Sequence, residues 1–244
     1  MTSITTAILS IMKRKPAVPA ITAVLLCCSA LPAEIRSLTI LHTNDLHARL
    51  SPLENRHGGF AYLASVIARE RANCSDCILL NAGDLVQGTP VSTVYRGLPV
   101  FEIGNMFGYD AATLGNHDFD YGWQQTKKFV DTATYPIVSS NIANASGELL
   151  QPPYAILKVN GLRIAILGAM TEELKTLSSP KLLEQWHTLP LLATLRKYAA
   201  ELHEKSDLIV VLGHITEAEE NQILQFEPEI PVVVSGHVHR GLEM

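Results

Sequence analysis

The first 33 residues of this 244-residue chain contain no aspartate and no glutamate. That absence sits beside the basic cluster Lys13-Arg14-Lys15 and an apolar run from Ala17 to Ala30, which is the layout of a secretory signal peptide. The run is broken by Pro19 and falls short of the roughly 20 residues a membrane-spanning helix needs, so an N-terminal anchor is the weaker alternative. Small residues place the expected cleavage after Ala30, with Ala33 as the second choice, and Met12 directly before the basic cluster is an alternative start. The expectation is a signal peptide over 1–33 and a secreted or periplasmic domain over 34–244, with no stable membrane span after cleavage.

Cysteine is nearly as scarce. Of four cysteines, Cys27 and Cys28 would leave with the leader, which leaves Cys74 and Cys77 in "NCSDC". Two thiols cannot close a four-ligand structural zinc site. Export favours a local disulfide, and a position ahead of a strand argues against a redox Cys-x-x-C, so a structural pair is expected. Basic residues are also short. Loss of the leader removes Lys13, Arg14 and Lys15 and no acid, taking the formal net charge from −5 to −8. So acidic a surface suits neither a phosphate-backbone binder nor any nucleic-acid polymer as partner. Small anions remain acceptable where something local supplies positive charge.

There is also no internal repeat and no low-complexity linker, and the length suits one domain. From residue 37 onward, short runs rich in Ile, Val and Leu alternate with segments of helical period. "LTILHTN" and "CILLNAGD" (77–84) read as buried strands. Between them Phe60, Leu63, Ala64, Ile67 and Ala68 fall on one helical stripe after Gly58-Gly59. Helices are expected near 99–107, 121–133, 189–205 and 216–225, and strands near 110–114, 136–140, 207–214 and 231–237. "YAILKVNGLRIAILGAM" (154–170) holds two strands joined by Asn160-Gly161, a strong hairpin signal. The alternation implies an α/β protein with a mostly parallel core and an antiparallel addition.

Polar residues collect where these strands end. Asp45 and His47 follow the first, Asp84 the second, Asn116 and His117 the third, His214 a later one, and His237 and His239 the last. Ligands of open α/β sheets bind beyond the carboxyl ends of strands, so these distant residues are expected to converge. Carboxylate oxygen with neutral imidazole nitrogen suits Zn²⁺, Mn²⁺ or Fe²⁺ better than Ca²⁺ or Mg²⁺ alone. Seven ligands exceed one tetrahedral ion but serve two divalent ions if a carboxylate bridges, an arrangement that clamps both oxygens of a phosphoryl displacement. Asp-x-His or Gly-Asp alone is weak evidence, Gly-His-x-His at a strand end is moderate, and "GNHD" is stronger. Their ordered combination carries the inference.

Together "ILHTNDLHARL", "NAGDLVQGTPVSTVYRG", "TLGNHDFDYG", "PIVSSNI", "LGH" and "VVVSGHVH" resemble the calcineurin-like metallophosphoesterases, and within them the 5′-nucleotidase branch, over about residues 37 to 240. The resemblance implies a four-layer αββα sandwich. It implies one metal held by Asp45, His47 and His239, another by Asn116, His214 and His237, and Asp84 between them. His117 and Asp120 would be the catalytic pair, and a metal-bound hydroxide would attack a phosphate monoester such as a 5′-nucleotide or nucleotide sugar. His117 would stabilise the phosphoryl charge or protonate the leaving alkoxide, with Asp120 favouring the imidazolium. The competing reading of Asp120 is an N-cap for the helix near Tyr121. Gly115 reads as the residue that lets the chain turn sharply, Asp118 as support, Asn44 and Arg49 as groups behind the ligands, and His42, His57, His187 and His203 as structural or surface residues.

The branch normally continues past the final Gly-His-x-His into further strands and a C-terminal domain that holds the nucleoside. This sequence stops at Met244, so the expectation is a catalytic domain without those last strands and without that nucleotide-binding domain. Two alternatives remain beside the monoesterase. One is a 2′,3′-cyclic-nucleotide phosphodiesterase or related ester hydrolase; the other is a truncated, non-catalytic binding domain.

Overall fold

A computed structural model of the chain describes residues 5–12, 35–53 and 58–239. β1 (Thr5–Met12) runs antiparallel to β2 (Ile35–Thr43), with Thr5 opposite His42. α1 (Gly59–Ala72) opens on two glycines at positive φ, Gly58 and Gly59, and buries Phe60, Leu63 and Ile67 on the expected stripe. Then come β3 (Cys77–Asn81), α2 (Pro90–Tyr95), α3 (Leu98–Gly104), β4 (Ala111–Thr113), α4 (Trp123–Thr132), β5 (Ile137–Val138) and β6 (Ile142–Ala143). β7 (Tyr154–Val159) and β8 (Leu162–Met170) form the expected hairpin, turning at Asn160 and Gly161 with φ of 48° and 69°. The chain continues through α5 (Leu174–Leu177), α6 (Pro180–Leu183), β9 (His187–Thr188), α7 (Leu191–Leu202), β10 (Leu208–His214), α8 (Glu217–Phe226) and β11 (Val232–Gly236).

The strands make two main sheets, in the orders β1-β2-β3-β4-β5 and β11-β10-β8-β7, while β6 and β9 pair separately. The first is parallel from β2 onward and the second parallel except at its edge strand β7. Side-chain alternation then builds the layers. Leu38, Ile40, Ile78 and Leu80 point inward and meet Ile164, Ile166, Val210 and Leu212 of the other sheet in one buried cluster. Leu41 and Leu79 point the opposite way, into a cluster with Phe60, Leu63, Phe101 and Phe129 from α1, α3 and α4. On the far side Ala165, Leu167 and Val211 meet Leu191, Leu195, Leu202 and Ile223 from α7 and α8. Helix, sheet, sheet, helix is the four-layer sandwich. Because these strands are covered on both faces they read as near-continuous apolar runs, and each fully buried Leu or Ile stabilises the fold by about 1.5–3 kcal/mol.

Several boundaries differ from expectation. The strand expected to reach Asp84 leaves the sheet after Asn81, and the helix expected from Tyr121 starts at Trp123 behind Gly122, whose φ is 86°. The short elements α2, β6, α5, α6 and β9 had no periodicity long enough to register. Residues 13–34, with the basic cluster and apolar run of the expected signal peptide, lie outside the described residues, as does His57. Cleavage after Ala30 would remove β1 as well. Cys74 and Cys77 are disulfide-bonded and staple the end of α1 to the start of β3.

Candidate metal centre

The carboxyl ends of β2, β3, β4, β10 and β11 open onto one crevice. Asp45 and His47 follow β2, Asp84 follows β3, Asn116 and His117 occupy a 3-10 turn after β4, His214 ends β10, and His237 and His239 follow β11. Five of these residues hold positive φ: Asp45 (52°), His47 (46°), Asp84 (55°), His237 (90°) and His239 (53°). Such conformations cost about 1–3 kcal/mol each and persist only where the surroundings enforce them. Here hydrogen bonds from Asp45 N to Gly83 O (3.1 Å), His47 N to Asp84 O (3.0 Å) and Ala48 N to Leu85 O (2.8 Å) zip the two loops together.

His214 is fully buried, and its Nδ1 lies 2.8 Å from the Ala82 carbonyl. A carbonyl only accepts, so Nδ1 carries a proton and Nε2 faces the crevice. That Nε2 is 3.1 Å from Asp84 Oδ2, 3.1 Å from Asn116 Oδ1 and 4.0 Å from Asp45 Oδ1. Across the crevice, His239 Nε2 is 3.1 Å from Asp45 Oδ1 and 3.2 Å from His47 Nε2. The edge of a tetrahedron of nitrogen ligands around zinc is about 3.3 Å, so these separations suit atoms converging on a cation. Three groups have donor atoms mutually within 4.8 Å: Asp45 with His47 and His239, Asp45 with Asp84 and His214, and His47 with Asp84 and His117. Both carboxylates therefore stand in two groups. His237 belongs to none of them; its ring lies 5.0 Å from that of His214, and its N–H donates to the Asp45 carboxylate at 3.0 Å.

The electrostatics agree with a cation site. Burial opposes charge on His214, but Asp84 beside it, with Asp45 and the Ala82 carbonyl, pushes it up to about 9. Burial likewise opposes charge on Asp84, yet His214 and His117 hold its carboxyl below the usual range. Burial lowers His47 and His237, which favours the neutral form that ligates. Among the described residues no arginine or lysine pairs with Asp45 or Asp84, whose ionic neighbours are all histidines. Acids clustered with imidazoles and lacking a fixed cation fit divalent metal ions.

His117 stands at the rim. Its Nδ1 lies 2.8 Å from Asp120 Oδ2, and this hydrogen bond raises its pKa against the effect of burial. Asp120 does not N-cap α4: it is the C-cap of the 3-10 turn, and Gly122 precedes α4. Asn44 Nδ2 donates to Asp45 Oδ2 at 2.5 Å, whereas Arg49 is exposed. Gly115, expected to permit a sharp turn, has a φ of −103° that suits any residue. Space is the reason for it, since a Cβ there would lie 2.1 Å from Asp84 Oδ1. Asn81, to which sequence reasoning gave no role, is fully buried; its Nδ2 donates to Thr43 Oγ1 (3.0 Å) and its Oδ1 accepts from Gly83 N (3.1 Å). The signal was a lone amide ending the apolar run "CILL". His42 is half-buried on β2, and His187 and His203 are exposed outside the crevice.

Two sheets packed face to face between helices, with carboxylates, imidazoles and an amide converging at their strand ends, define an α/β sandwich with a candidate metal centre. A family model described as calcineurin-like phosphoesterase matches residues 38–241, and the chain belongs to that family. It is 35% identical over 235 residues to a snake venom 5′-nucleotidase of Gloydius brevicauda, covering 88% of this chain and 39% of that protein. It is 34% identical over 211 residues to a 5′-nucleotidase of Vibrio cholerae, covering 80% of this chain and 38% of the relative. Among solved structures, a 5′-nucleotidase precursor from Thermus thermophilus superposes with a TM-score of 0.77 at 31% identity, over 85% of this chain and 43% of the other. The chain thus spans about two-fifths of the length of the curated relatives it matches.

Proposed function

We propose that the chain is the catalytic module of an exported phosphoesterase that hydrolyses phosphate monoesters, with 5′-nucleotides or nucleotide sugars as its substrate class. The observation that carries this reading is the sharing of Asp45 and Asp84 between convergent ligand groups, with the Asp120-bonded His117 beside them. Asp45, His47 and His239 would hold one divalent ion, Asn116, His214 and His237 the other, and Asp84 both. When bound, the two ions supply positive charge to phosphoryl oxygens and lower the pKa of a water molecule. That charge also draws a small anion to an otherwise acidic surface.

The chain's own groups do the rest. Asp120 accepts from His117 Nδ1, which fixes the ring and leaves Nε2 for a substrate oxygen. The Asp120 hydrogen bond raises its pKa and so favours the imidazolium, the form that can offset charge on the phosphoryl oxygens and give its proton to the departing alkoxide. Asp84 Oδ1 accepts from His117 N at 2.9 Å, so the residue expected to touch both ions also fixes where the acid stands. Export is supported by the basic cluster and apolar run of the leader, and by the Cys74–Cys77 disulfide, since such bonds persist in oxidising compartments. No described helix is long and apolar enough to cross a membrane.

The test is hydrolysis by the purified chain, loaded with Mn²⁺ or Zn²⁺, of an aryl phosphate, 5′-nucleotides and 2′,3′-cyclic nucleotides in parallel. Release of phosphate from the monoesters is expected. Turnover of cyclic nucleotides alone would replace the substrate class, and no turnover with ions bound would remove the enzyme assignment.

A further inference from the structure

The three ligand-bearing loops of the first sheet are joined in two different ways. The loops after β2 and β3 are zipped by main-chain hydrogen bonds that any sequence could make. Among the described residues, no main-chain hydrogen bond joins 83–88 to 114–118, the loops after β3 and β4. Two carboxylates make that joint instead. Asp84 Oδ1 accepts from His117 N at 2.9 Å, and Asp118 Oδ1 accepts from Val86 N at 3.4 Å while its Oδ2 accepts from Gly115 N at 2.8 Å. Asp118 is 1% exposed, and its own carbonyl accepts from the buried Thr126 Oγ1 at 2.7 Å, which pins the residue to α4. Gly115 presses so close to Asp84 that no Cβ fits between them, so a small slip at this joint moves both.

We propose that Asp118 is a positioning residue: by holding Val86 N–H and Gly115 N–H on one carboxylate, it sets the distance between Asp84 and the Asn116–His117 pair. A residue buried behind the crevice thereby fixes the spacing of donors on the loops after two strands and the stance of the acid relative to both. This rests on the metal-centre reading. Partners that orient ligands from behind typically change metal affinity by about 10–100-fold when removed.

The experiment compares wild type, Asp118→Asn and Asp118→Glu by calorimetric titration with Mn²⁺, kcat and KM on an aryl phosphate at saturating Mn²⁺, and thermal unfolding. Asparagine keeps one acceptor but turns an N–H₂ towards a donor, whereas glutamate keeps both oxygens on a longer stem. Expected are a Mn²⁺ affinity about 10–100-fold weaker for Asp118→Asn, kcat reduced more than tenfold with KM little changed, and an intermediate Asp118→Glu. If Asp118→Asn folds and binds Mn²⁺ with wild-type affinity and kcat, the proposal is overturned. If Asp118→Asn does not fold, Asp118→Glu decides: Mn²⁺ affinity at least threefold weaker than wild type supports the tie, and wild-type affinity overturns it. A wild type that binds Mn²⁺ but turns nothing over would fail the proposed activity instead, and the affinity comparison would still judge Asp118.

Discussion

The two edges of the same pair of sheets are built on opposite principles. At the amino ends of the strands, acids meet arginines. Asp110 accepts from Leu79 N at 2.7 Å and pairs with Arg71 at 3.0 Å, and Asp207 accepts from Arg163 N at 2.8 Å and pairs with its guanidinium at 3.1 Å. The Cys74–Cys77 disulfide lies at that edge too. At the carboxyl ends, the ion-pair partners of Asp45 and Asp84 among the described residues are histidines, and both acids sit on backbone bent into the left-handed region. One edge pairs its acids with arginines; the other gathers carboxylates, imidazoles and five residues at positive φ around a crevice. Carboxylates set among imidazoles in this way suit divalent cations.

The comparison breaks most completely at Asp84. Asp84→Ala should lose Mn²⁺ binding at both positions and reduce turnover by about 10³-fold or more, read by calorimetry and phosphate release. His117→Ala should sharpen the contrast within the crevice, retaining Mn²⁺ while losing about 10²–10⁴-fold in kcat; hydrolysis at the wild-type rate would remove His117 from its role. A smaller effect concerns the metal-free chain. His214 is raised to about 9 from an ordinary 6.5, so the stability it contributes is fully present below pH 6.5 and is lost as pH rises through about 9. Thermal unfolding of metal-free protein should therefore shift to lower temperature across that window, and a flat profile would contradict the buried pairing with Asp84. The smallest effect on chemistry belongs to the other edge. Replacing both Cys74 and Cys77 by serine should cost about 2 kcal/mol of stability for so short a loop and leave kcat unchanged.

Much of this is legible in the sequence for identifiable reasons. Strands covered on both faces must be apolar throughout, so runs such as "LTIL", "CILLN" and "LIVVLGH" reveal themselves; the candidate site residues stand out because polar residues interrupt such runs at their ends. The Asn160-Gly161 hairpin is readable because both positions need positive φ. Conformation at the site is not. Nothing in "NDLH" announces that Asp45 and His47 take left-handed backbone, because main-chain bonds from the neighbouring loop impose it. Gly115 reads as a turn residue although its need is for space beside Asp84, and that neighbour comes from another strand. Asp118 reads as mere support, and only the folded chain reveals which two N–H groups it joins.

The most direct test of the carboxyl edge as a two-cation centre is a Mn²⁺ titration of the purified metal-free chain, with bound metal per chain and phosphate release from an aryl phosphate measured on the same samples. The expected result is two ions per chain, with turnover rising as the second binds. One ion per chain with full turnover, or two ions with none, would contradict it.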